Sequence, residues 1–394
     1  MRLPDRPLRV TMLNKYYSPP HLGGVETVVR YLSEGLVAHA GSRVRAIVCN
    51  EANTRLEETI AGVQVIRLPR QFALSSAPIA LSMPGALRAE LCGPTPPDVI
   101  HSHAPYPWAD LSWLRVNPDV PTVVSYHSDI VRQKRMLAAY RPFLERFLDR
   151  ADLIITSSPN MIANSPFLSP RAEKCRVVDY GLHVEDIADP PVEVLARAEQ
   201  IRAEHRGRKI VLFVGRLVYY KGADVLVRAM ADIDADLVLI GRGPLEGELR
   251  EIAVARGLSD RVSFLPPMGD AELSAYYRAA DVFALPSVAE SEAFGLVQIE
   301  AHAAGTPAVS TDLPTSVPYA NLDGVTGLTV AVGDVAALAG ALQRLLGDDE
   351  LRARFGRQAR ERALSQFTVL RMVDNTLQAY GEAIERHAHT RGRV

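Results

Sequence analysis

Short segments rich in Val, Ile and Leu recur along the chain and alternate with longer segments that are irregular or helical in periodicity. The apolar segments show little alternation of apolar and polar positions, which is typical of strands buried on both faces of a parallel sheet covered by helices. The predicted strands are 8–14, 44–49, 63–67, 98–102, 121–126, 152–156, 176–179, 209–215, 236–241, 261–265, 281–285 and 307–310. Ligands of such sheets bind at the carboxyl ends of the strands, so the residues that follow these segments are the first candidates for a site.

The middle of the chain, between Gly181 and Arg208, is acidic and irregular and contains Pro190-Pro191, which predicts a linker. The strand and helix pattern before the linker is repeated after it, so each half is expected to form a Rossmann-like α/β domain. The predicted domains are 1–189, 190–365 and a C-terminal helical segment, 366–394.

Composition narrows the class of protein. The chain has 394 residues, of which 47% are hydrophobic and 23% charged, as in globular proteins. A formal net charge of -2 argues against a nucleic-acid-binding protein. No apolar run typical of a signal peptide or a membrane span is present, and the three cysteines have no metal-like spacing. We therefore expect a cytoplasmic protein with reduced core thiols at Cys49, Cys92 and Cys175.

Two cations flank a turn after the predicted strand 209–215. Gly215-Arg216-Leu217 is followed by Lys221-Gly222, and a helix is predicted beyond it. Cations at the mouth of such a turn neutralise the negative charge that a departing diphosphate develops. Arg216 and Lys221 are therefore candidates for a phosphate site.

Two carboxylates, Glu292 and Glu300, lie eight residues apart around a predicted helix start at Gly295. The first amides of a helix have no intrahelical partner and carry partial positive charge, so they suit an anion or the oxygens of a sugar. Carboxylates accept hydrogen bonds from vicinal hydroxyls, and the spacing allows one to reach each end of a ligand. Two solvated glutamates on an ordinary amphipathic helix remain the alternative.

Glycines and histidines follow predicted strands of the first half. Gly23-Gly24 precedes a helix, an arrangement that brings amides close to a phosphate, although an ordinary turn explains the pair equally well. His101 and His103 end one strand and His127 ends the next. A neutral imidazole can donate to a sugar hydroxyl, and a carbonyl beside it can stabilise positive charge on an anomeric carbon. The residues alone do not separate these roles from a purely structural one.

With these motifs the chain resembles the retaining glycosyltransferases of family 4, which have the GT-B fold. The residues that match the family are Ser287, Glu292, Phe294, Gly295, Leu296, Val297, Glu300, Ala301, Gly305-Thr306-Pro307, Gly23 to Glu26, Gly215 to Leu217 and Lys221-Gly222. The resemblance implies two Rossmann-like domains facing across a cleft, with a C-terminal helix that crosses back to the first domain. It also implies a donor held by the second domain and an acceptor held by the first.

The resemblance assigns a role to each matching residue. Glu292 would hold sugar hydroxyls, Glu300 the donor ribose, and Arg216 and Lys221 the diphosphate. His127, favoured over His101 and His103, would lie close to the sugar. The remaining expected donor contacts are Gly23, Gly24, Gly215, the backbone around Met268, which would grip the base, and the amides of Phe294, Gly295, Leu296 and Val297.

Two further segments, 126–134 and 156–166, resemble a subset of the family that builds bacterial surface polysaccharides with mannosyl and D-rhamnosyl groups from GDP-sugars. This implies a GDP-mannose donor and a lipid-linked saccharide acceptor. The segment 130–150 carries six basic side chains among apolar ones, so it offers a peripheral contact with an anionic membrane, or else an ordinary charged helix face. Pro142 is expected to break or kink this segment into two helices.

No bound metal or other cofactor is expected. The two Asp-x-Asp strings, 232–234 and 234–236, precede a predicted strand and so lie away from the ligand edge. The alternatives to GDP-sugar transfer are a UDP-sugar transferase of the same family, a GT-B nucleotide-sugar epimerase or a phosphorylase with pyridoxal phosphate. A non-catalytic subunit that binds nucleotide-sugar is a further alternative, and it predicts that Glu292→Ala leaves polysaccharide assembly intact.

Overall fold

The computed structural model of the chain describes residues 6–20, 23–74, 77–130 and 134–391. The chain divides into two units, which we call unit 1 (Met1–Leu182 and Val369–Val394) and unit 2 (His183–Thr368). The boundary thus falls after Leu182 instead of after residue 189. The reason is that the segment beyond Leu182 folds into two helices that pack on helices of unit 2.

Unit 1 contains, within its described residues, an eight-stranded sheet and a short antiparallel hairpin. The strands are β1 (Arg9–Leu13), β2 (Arg43–Cys49), β3 (Leu56–Ile60), β4 (Val63–Leu68), β5 (Phe72–Leu74), β6 (Ala77–Ile79), β7 (Val99–Ala104), β8 (Thr122–Tyr126), β9 (Leu153–Thr156) and β10 (Cys175–Val177). The order in the sheet is β10-β9-β8-β7-β1-β2-β4-β3, with β3 antiparallel and the other strands parallel. The hairpin pairs β5 with β6.

Helices cover this sheet and bury the apolar strands that the pattern predicts. They are α1 (Gly24–Ala40), α2 (Met83–Cys92), α3 (Pro107–Val116), α4 (Lys134–Arg150) and α5 (Pro159–Asn164), with a 3-10 helix at Ser169–Lys174. Ile100 and Val124 of the central strands share one core cluster with Leu87, Trp113 and Phe147 of the helices. Each such fully buried side chain contributes roughly 1.5–3 kcal/mol of hydrophobic free energy.

Unit 2, whose residues are all described, has a six-stranded parallel sheet in the order β13-β12-β11-β14-β15-β16. Its strands are β11 (Lys209–Val214), β12 (Ala235–Ile240), β13 (Val262–Leu265), β14 (Val282–Leu285), β15 (Ala308–Thr311) and β16 (Gly327–Val330). Its helices are α6 (Val184–Ala188), α7 (Val192–Glu204), α8 (Ala223–Ala229), α9 (Glu246–Ala255), α10 (Asp270–Ala279), α11 (Leu296–Ala303), α12 (Val317–Ala320), α13 (Val335–Gly347) and α14 (Asp349–Gln366), with 3-10 helices at Tyr219–Lys221 and Met230–Asp232. This order is that of a doubly wound Rossmann sheet.

The last helix, α15 (Val369–Arg391), belongs to unit 1 and packs against α1, β8 and β9. The predicted return of the C-terminal helix to the first domain is therefore confirmed. No helix among the described residues is both long enough and apolar enough to cross a membrane.

Three expectations about local structure are corrected. The segment around Pro142 does not break, because α4 runs through it; Pro142 and Ala138, whose carbonyl loses its helical partner, are both exposed. Cys92 is exposed, unlike the buried Cys49 and Cys175, and all three are free thiols. Finally, β3, β5, β6 and β16 were not predicted.

Candidate active site

The strand order of each unit reverses at one point, and in unit 2 the two strongest candidate motifs follow the strands at that point. In unit 2 the reversal lies between β11 and β14. Gly215 and Arg216 follow β11, whereas the segment that leads to Glu292 follows β14. A doubly wound sheet binds its ligands in the crevice at this reversal, so the topology brings the two strongest sequence motifs to one place.

Lys221 is held in a tight turn between β11 and α8. The next residue, Gly222, has a φ of +64°, and a Cβ there would lie 2.0 Å from the carbonyl oxygen of Pro286. Only glycine permits this conformation and this close approach without strain. The amide of Val288 donates to the carbonyl of Tyr220 at 2.8 Å, so the turn is also bonded to the segment after β14.

A buried ion pair joins the two motifs. The Lys221 ammonium lies 2.6 Å from Oε2 of Glu292, and the two residues are only 9% and 8% exposed. The Ser287 hydroxyl donates to the same oxygen at 3.2 Å. The pair thus places a fixed positive charge and a fixed carboxylate side by side at the carboxyl edge of the sheet.

Helix α11 begins at Leu296, directly after Gly295. Gly295 has a φ of +75°, and a Cβ there would lie 2.4 Å from a methyl group of Leu285. In this fully described unit no side chain caps the helix, so its first amides lack the usual side-chain acceptor. Phe294 is itself a core residue, 3% exposed, whose ring packs edge to face on Phe367. Its predicted contribution through the backbone remains a prediction.

Glu300 projects from α11 and is oriented by a tyrosine. The hydroxyl of Tyr277 on α10 donates to Oε2 of Glu300 at 2.6 Å. Burial raises the pKa of Glu300, while the hydrogen bond from Tyr277 and the charge of Lys221 act in the opposite direction. Glu300 lies on the helix that begins four residues after Glu292.

Two other predicted donor residues of unit 2, Arg216 and Met268, lie in the segments that follow β11 and β13. Arg216 is exposed, and its guanidinium donates to the hydroxyl of Tyr220 at 3.1 Å. Met268 is half-buried between β13 and α10, where it packs on the same core cluster as Val297 of α11. Arg216, Lys221, Met268, Glu292 and Glu300 are therefore carried by loops and helices at the carboxyl ends of neighbouring strands.

In unit 1 the predicted glycines begin the first helix. Gly23 occupies the N-cap position of α1, with an extended backbone and no side-chain cap among the described residues, and Gly24 is the first helical residue. The carboxylate of Glu26 lies over Gly23, since a Cβ built there would be 2.2 Å from one of its oxygens. The two residues before Gly23 lie outside the described residues.

His127 follows β8 and is held at both ring nitrogens. Nδ1 lies 2.6 Å from the hydroxyl of Tyr180, and Nε2 lies 2.9 Å from Nδ1 of His103. His101, at the other side of His103, contacts the hydroxyl of Tyr380 at 2.8 Å and that of Ser125 at 2.7 Å. The expectation that the imidazole of His127 donates to a sugar hydroxyl is therefore not supported by this arrangement, which uses both nitrogens within unit 1.

The three histidines form a buried stack of neutral rings. The ring centroids of His101 and His103 lie 4.5 Å apart, and those of His103 and His127 lie 5.2 Å apart. Burial lowers the pKa of His127 to about 4 and that of His101 to about 3, and it lowers the pKa of His103 well below its usual value. At neutral pH none of them carries charge, so the stack orients groups and does not bind anions.

Sequence reasoning missed the residues that orient the candidates. Tyr277 holds Glu300, but it lies on the buried face of a helix with no recognisable motif. Tyr180, which contacts Nδ1 of His127, lies just after β10. His103, which contacts the other ring nitrogen, is one of the histidines that the strand ends had already indicated. The rule that selected His127 could therefore have selected Tyr180 as well.

The Asp-x-Asp strings lie at the amino end of β12, as predicted, and Asp236 contacts His205 at 2.6 Å. Within the described ranges no group of three His, Cys, Asp or Glu residues could hold a metal ion. Together, these features define an α/β protein of two doubly wound units, one of which brings a buried ion pair and the uncapped start of a helix to the carboxyl edge of its sheet.

Known proteins share this architecture along the whole chain. The model of glycosyl transferases group 1 matches residues 196–362, and that of the glycosyl transferase 4-like domain matches residues 23–181. The chain is 32% identical to O-antigen chain mannosyltransferase C of Escherichia coli, over 96% of this chain and 99% of that protein. It is 33% identical to D-rhamnosyltransferase WbpZ of Pseudomonas aeruginosa, over 92% of each chain. The solved sucrose-phosphate synthase of Thermosynechococcus elongatus superposes with a TM-score of 0.79 at 26% identity, over 96% of this chain and 99% of that one.

The chain belongs to the family of group 1 glycosyl transferases with a 4-like N-terminal domain, and it has the GT-B fold. The predicted family, fold class and enzyme class are confirmed: the protein is a hexosyltransferase. As such it takes a nucleotide-sugar donor and a saccharide acceptor.

Proposed function

We propose that this glycosyltransferase moves mannose from GDP-mannose to a lipid-linked saccharide acceptor in the synthesis of a cell-surface polysaccharide, with retention and without a metal ion. The observation that carries the proposal is the buried Lys221–Glu292 pair at the reversal of the second sheet. Such a pair offers opposite charges to two parts of one ligand, a diphosphate and a hydroxylated sugar.

The positive part of the site suits the leaving group. Cleavage of the bond between sugar and phosphate builds negative charge on the nucleoside diphosphate, and a preorganised cation lowers that barrier. Lys221 is fixed by Glu292, whereas Arg216 is exposed and can close on the phosphates. The uncapped first amides of α11, at Leu296 and Val297, supply further donors to a phosphate or a sugar oxygen.

The two carboxylates suit hydroxyl groups. Glu292 lies beside the cation and is proposed to accept from the hexose, while Glu300, held by Tyr277, accepts from the ribose. The backbone around Met268 is proposed to hold the base. A mannosyl group is supported by the relatives, which are named as a mannosyltransferase and a D-rhamnosyltransferase. The guanine base is proposed from the resemblance of segments 126–134 and 156–166 to enzymes that use GDP-sugars.

Unit 1 is proposed to hold the acceptor, and His127 is its predicted catalytic residue. Because both ring nitrogens of His127 are bonded to protein groups, we assign the contact with the transferred sugar to its main-chain carbonyl. The bonds to Tyr180 and His103 then keep that carbonyl in place. Gly23 and Gly24 remain predicted donor contacts of this unit.

The proposal also places the protein in the cytoplasm, with a peripheral contact on the inner face of the membrane. The described part of the basic segment supports this, since Arg141, Arg146 and Arg150 of α4 are exposed together with Phe143. Residues 131–133 of the predicted 130–150 segment, and the side chains of Lys134 and Arg135, lie outside the described residues.

A thermal-shift panel tests the donor. GDP-mannose, GDP, UDP-glucose and UDP are compared at equal concentration in the presence of a chelator. A ligand at 100 times its Kd stabilises by about 2.7 kcal/mol, which corresponds to roughly 5–10 °C for a domain of this size. Stabilisation by the uridine compounds alone would overturn the GDP assignment, and dependence on an added divalent metal would overturn the metal-free mechanism.

A transfer assay with a matched pair of variants tests the site. Glu292→Gln is expected to lose transfer by about 100-fold or more, whereas Glu290→Gln, two residues away and exposed, is expected to behave as wild type. Equal activity of the two variants would contradict the assignment of Glu292.

A further inference from the structure

An apolar cavity of about 480 Å³ lies in unit 1 beside the carboxyl ends of its central strands. Its lining includes Pro105, which follows β7, and Ile130, which follows β8. On the other side the cavity is lined by Trp108 and Leu111 of α3 and by Phe143 of α4. It therefore opens on the edge of the first sheet where a ligand of this unit is expected.

The polar atoms of the lining aromatic residues are already bonded within the protein. The hydroxyl of Tyr106 donates to a carbonyl of β6 at 2.9 Å, and the indole N–H of Trp108 donates to the carbonyl just beyond that strand at 2.6 Å. The hydroxyl of Tyr140 donates to the buried carboxylate of Asp110. These side chains present carbon to the cavity, so a sugar or a nucleotide would lose hydrogen bonds to water without replacing them.

A cation lies at the rim of this otherwise apolar cavity. Lys15 lines it, and its ammonium lies 5.4 Å from the centre of the Tyr16 ring. Burial lowers the pKa of Lys15, and the carboxylate of Glu26 offsets this in part. Among the described residues, no carboxylate forms an ion pair with the Lys15 ammonium. Its charge is thus available to an anionic group beside a hydrocarbon.

Large apolar side chains are exposed around the same cavity. Phe143, which lines it, is 48% exposed. Phe72 is 53% exposed and pairs across the hairpin with Ile79, another lining residue, while Leu81 is 56% exposed two residues further on. Exposed apolar residues grouped in this way mark a binding surface more often than scattered ones do.

We propose that this cavity binds the hydrocarbon chain of a single lipid phosphate, the carrier of the acceptor saccharide, with the phosphate beside Lys15. The inference rests on the proposed function, which requires a lipid-linked acceptor. A hydrocarbon chain fits the carbon-lined wall, and a phosphate complements the ammonium. The position at the strand edge leaves the attached saccharide near His127, because the amide of His127 donates to the carbonyl of Ala104, next to the lining residue Pro105.

Binding of farnesyl phosphate to the full chain, below its micelle concentration, tests the proposal. Ala139 and Ala138 are both exposed on α4, but only Ala139 lines the cavity. Ala139→Glu is expected to weaken binding at least about tenfold, because it places a carboxylate against hydrocarbon, and Ala138→Glu is the matched control. Lys15→Gln is expected to weaken binding of farnesyl phosphate and to leave that of farnesol unchanged.

The measurements distinguish a lipid-phosphate site in the cavity from a contact with the membrane surface. Equal binding by the two glutamate variants, or no binding by wild type, would overturn the proposal. So would binding to anionic vesicles without binding to monomeric farnesyl phosphate, since that result indicates a surface contact. Transfer to a water-soluble saccharide without lipid-phosphate binding removes the cavity assignment alone, whereas lipid-phosphate binding in a protein that transfers no mannose removes the proposed function.

Discussion

The buried pair of Lys221 and Glu292 makes a prediction about stability and activity together. Lys221→Met removes the ammonium and leaves the Glu292 carboxylate, 8% exposed, with Ser287 as its remaining partner. Glu292→Gln leaves the ammonium without its carboxylate. The double variant removes both charges, so neither is left buried and uncompensated.

The expected magnitude follows from the burial of both groups. Breaking a buried ion pair by removing one partner costs about 3–5 kcal/mol, whereas replacing both partners is often close to neutral. For a unit of this size about 1 kcal/mol shifts the Tm by roughly 2–4 °C, so each single variant is expected to unfold about 6–20 °C lower. Lys209→Met is the control, because Lys209 belongs to a partly exposed cluster with Asp281 and Asp349, where a pair is worth about 1 kcal/mol or less.

Calorimetry combined with tryptophan fluorescence is the suitable assay. The two tryptophans, Trp108 and Trp113, both lie in unit 1, so their fluorescence follows that unit. The calorimetric transition also contains unit 2, which carries the pair. Both single variants are expected to lower the stability that the calorimetric transition reports. The double-mutant cycle is expected to give a coupling free energy between Lys221 and Glu292 of at least about 2 kcal/mol.

In the double variant, stability is expected to recover whereas activity is not. Its Tm should return close to that of wild type, while transfer stays about 100-fold or more below it, because the diphosphate has lost a preorganised cation. Single-variant effects that simply add within about 0.5 kcal/mol would refute the reasoning about the pair. A double variant that regains activity together with stability would refute its role in the site.

Three further predictions concern buried polar groups. Burial raises the pKa of Glu300, so its ionisation destabilises the folded state as the pH rises; Glu300→Gln should have a Tm at least equal to wild type at pH 8 and yet bind the donor more weakly. Burial raises the pKa of Asp110 to about 7, so the folded state loses stability as the pH rises from about 4 to about 7. In urea titrations the free energy of unfolding of Asp110→Asn should exceed that of wild type by up to about 4 kcal/mol at pH 8 and match it near pH 4. Tyr180→Phe removes the bond to Nδ1 of His127 and should lower the transfer rate about tenfold with the thermal shift by GDP unchanged; an unchanged rate would remove Tyr180 as a positioning residue.

Much of the fold could be predicted because each buried parallel strand is a continuous local run of apolar residues. Segments such as 209–215 and 236–241 are continuous apolar runs, and β11 and β12 form there. The strands that escaped prediction lie at sheet edges or in the hairpin. Strand β3, with the sequence LEETI, is mostly exposed and has a polar pattern, whereas β5, β6 and β16 have only three or four residues, too few to show a pattern. The break predicted at Pro142 was wrong because it depends on tertiary structure: the cost of a proline in a helix depends on whether the carbonyl that it leaves unpaired can reach water.

The candidate site was predictable only where its residues share a short motif. Lys221 and Glu292 each belong to such a motif, but their 2.6 Å contact depends on β11 and β14 being neighbours in the sheet, which no local pattern encodes. The partners that orient the site could be predicted even less from the sequence. Tyr277 meets Glu300, and Tyr180 meets His127, only once the helices and strands have packed.

The buried charges of unit 2 at the candidate site are an argument that the site is functional. Lys221 and Glu292 bury opposite charges in a sheet that apolar residues would stabilise as well. Beside them the first amides of α11, like those of most helices of unit 2, have no side-chain cap. The buried pair costs folding free energy where apolar residues would avoid the cost. A diphosphate and a sugar would satisfy both the pair and the amides, because they supply anionic oxygens to the amides and the cation and hydroxyls to the carboxylate. Ligand binding is therefore expected to stabilise unit 2 more than unit 1, and hydrogen exchange of α11 and of the β11–α8 turn should slow on addition of GDP while that of α3 does not.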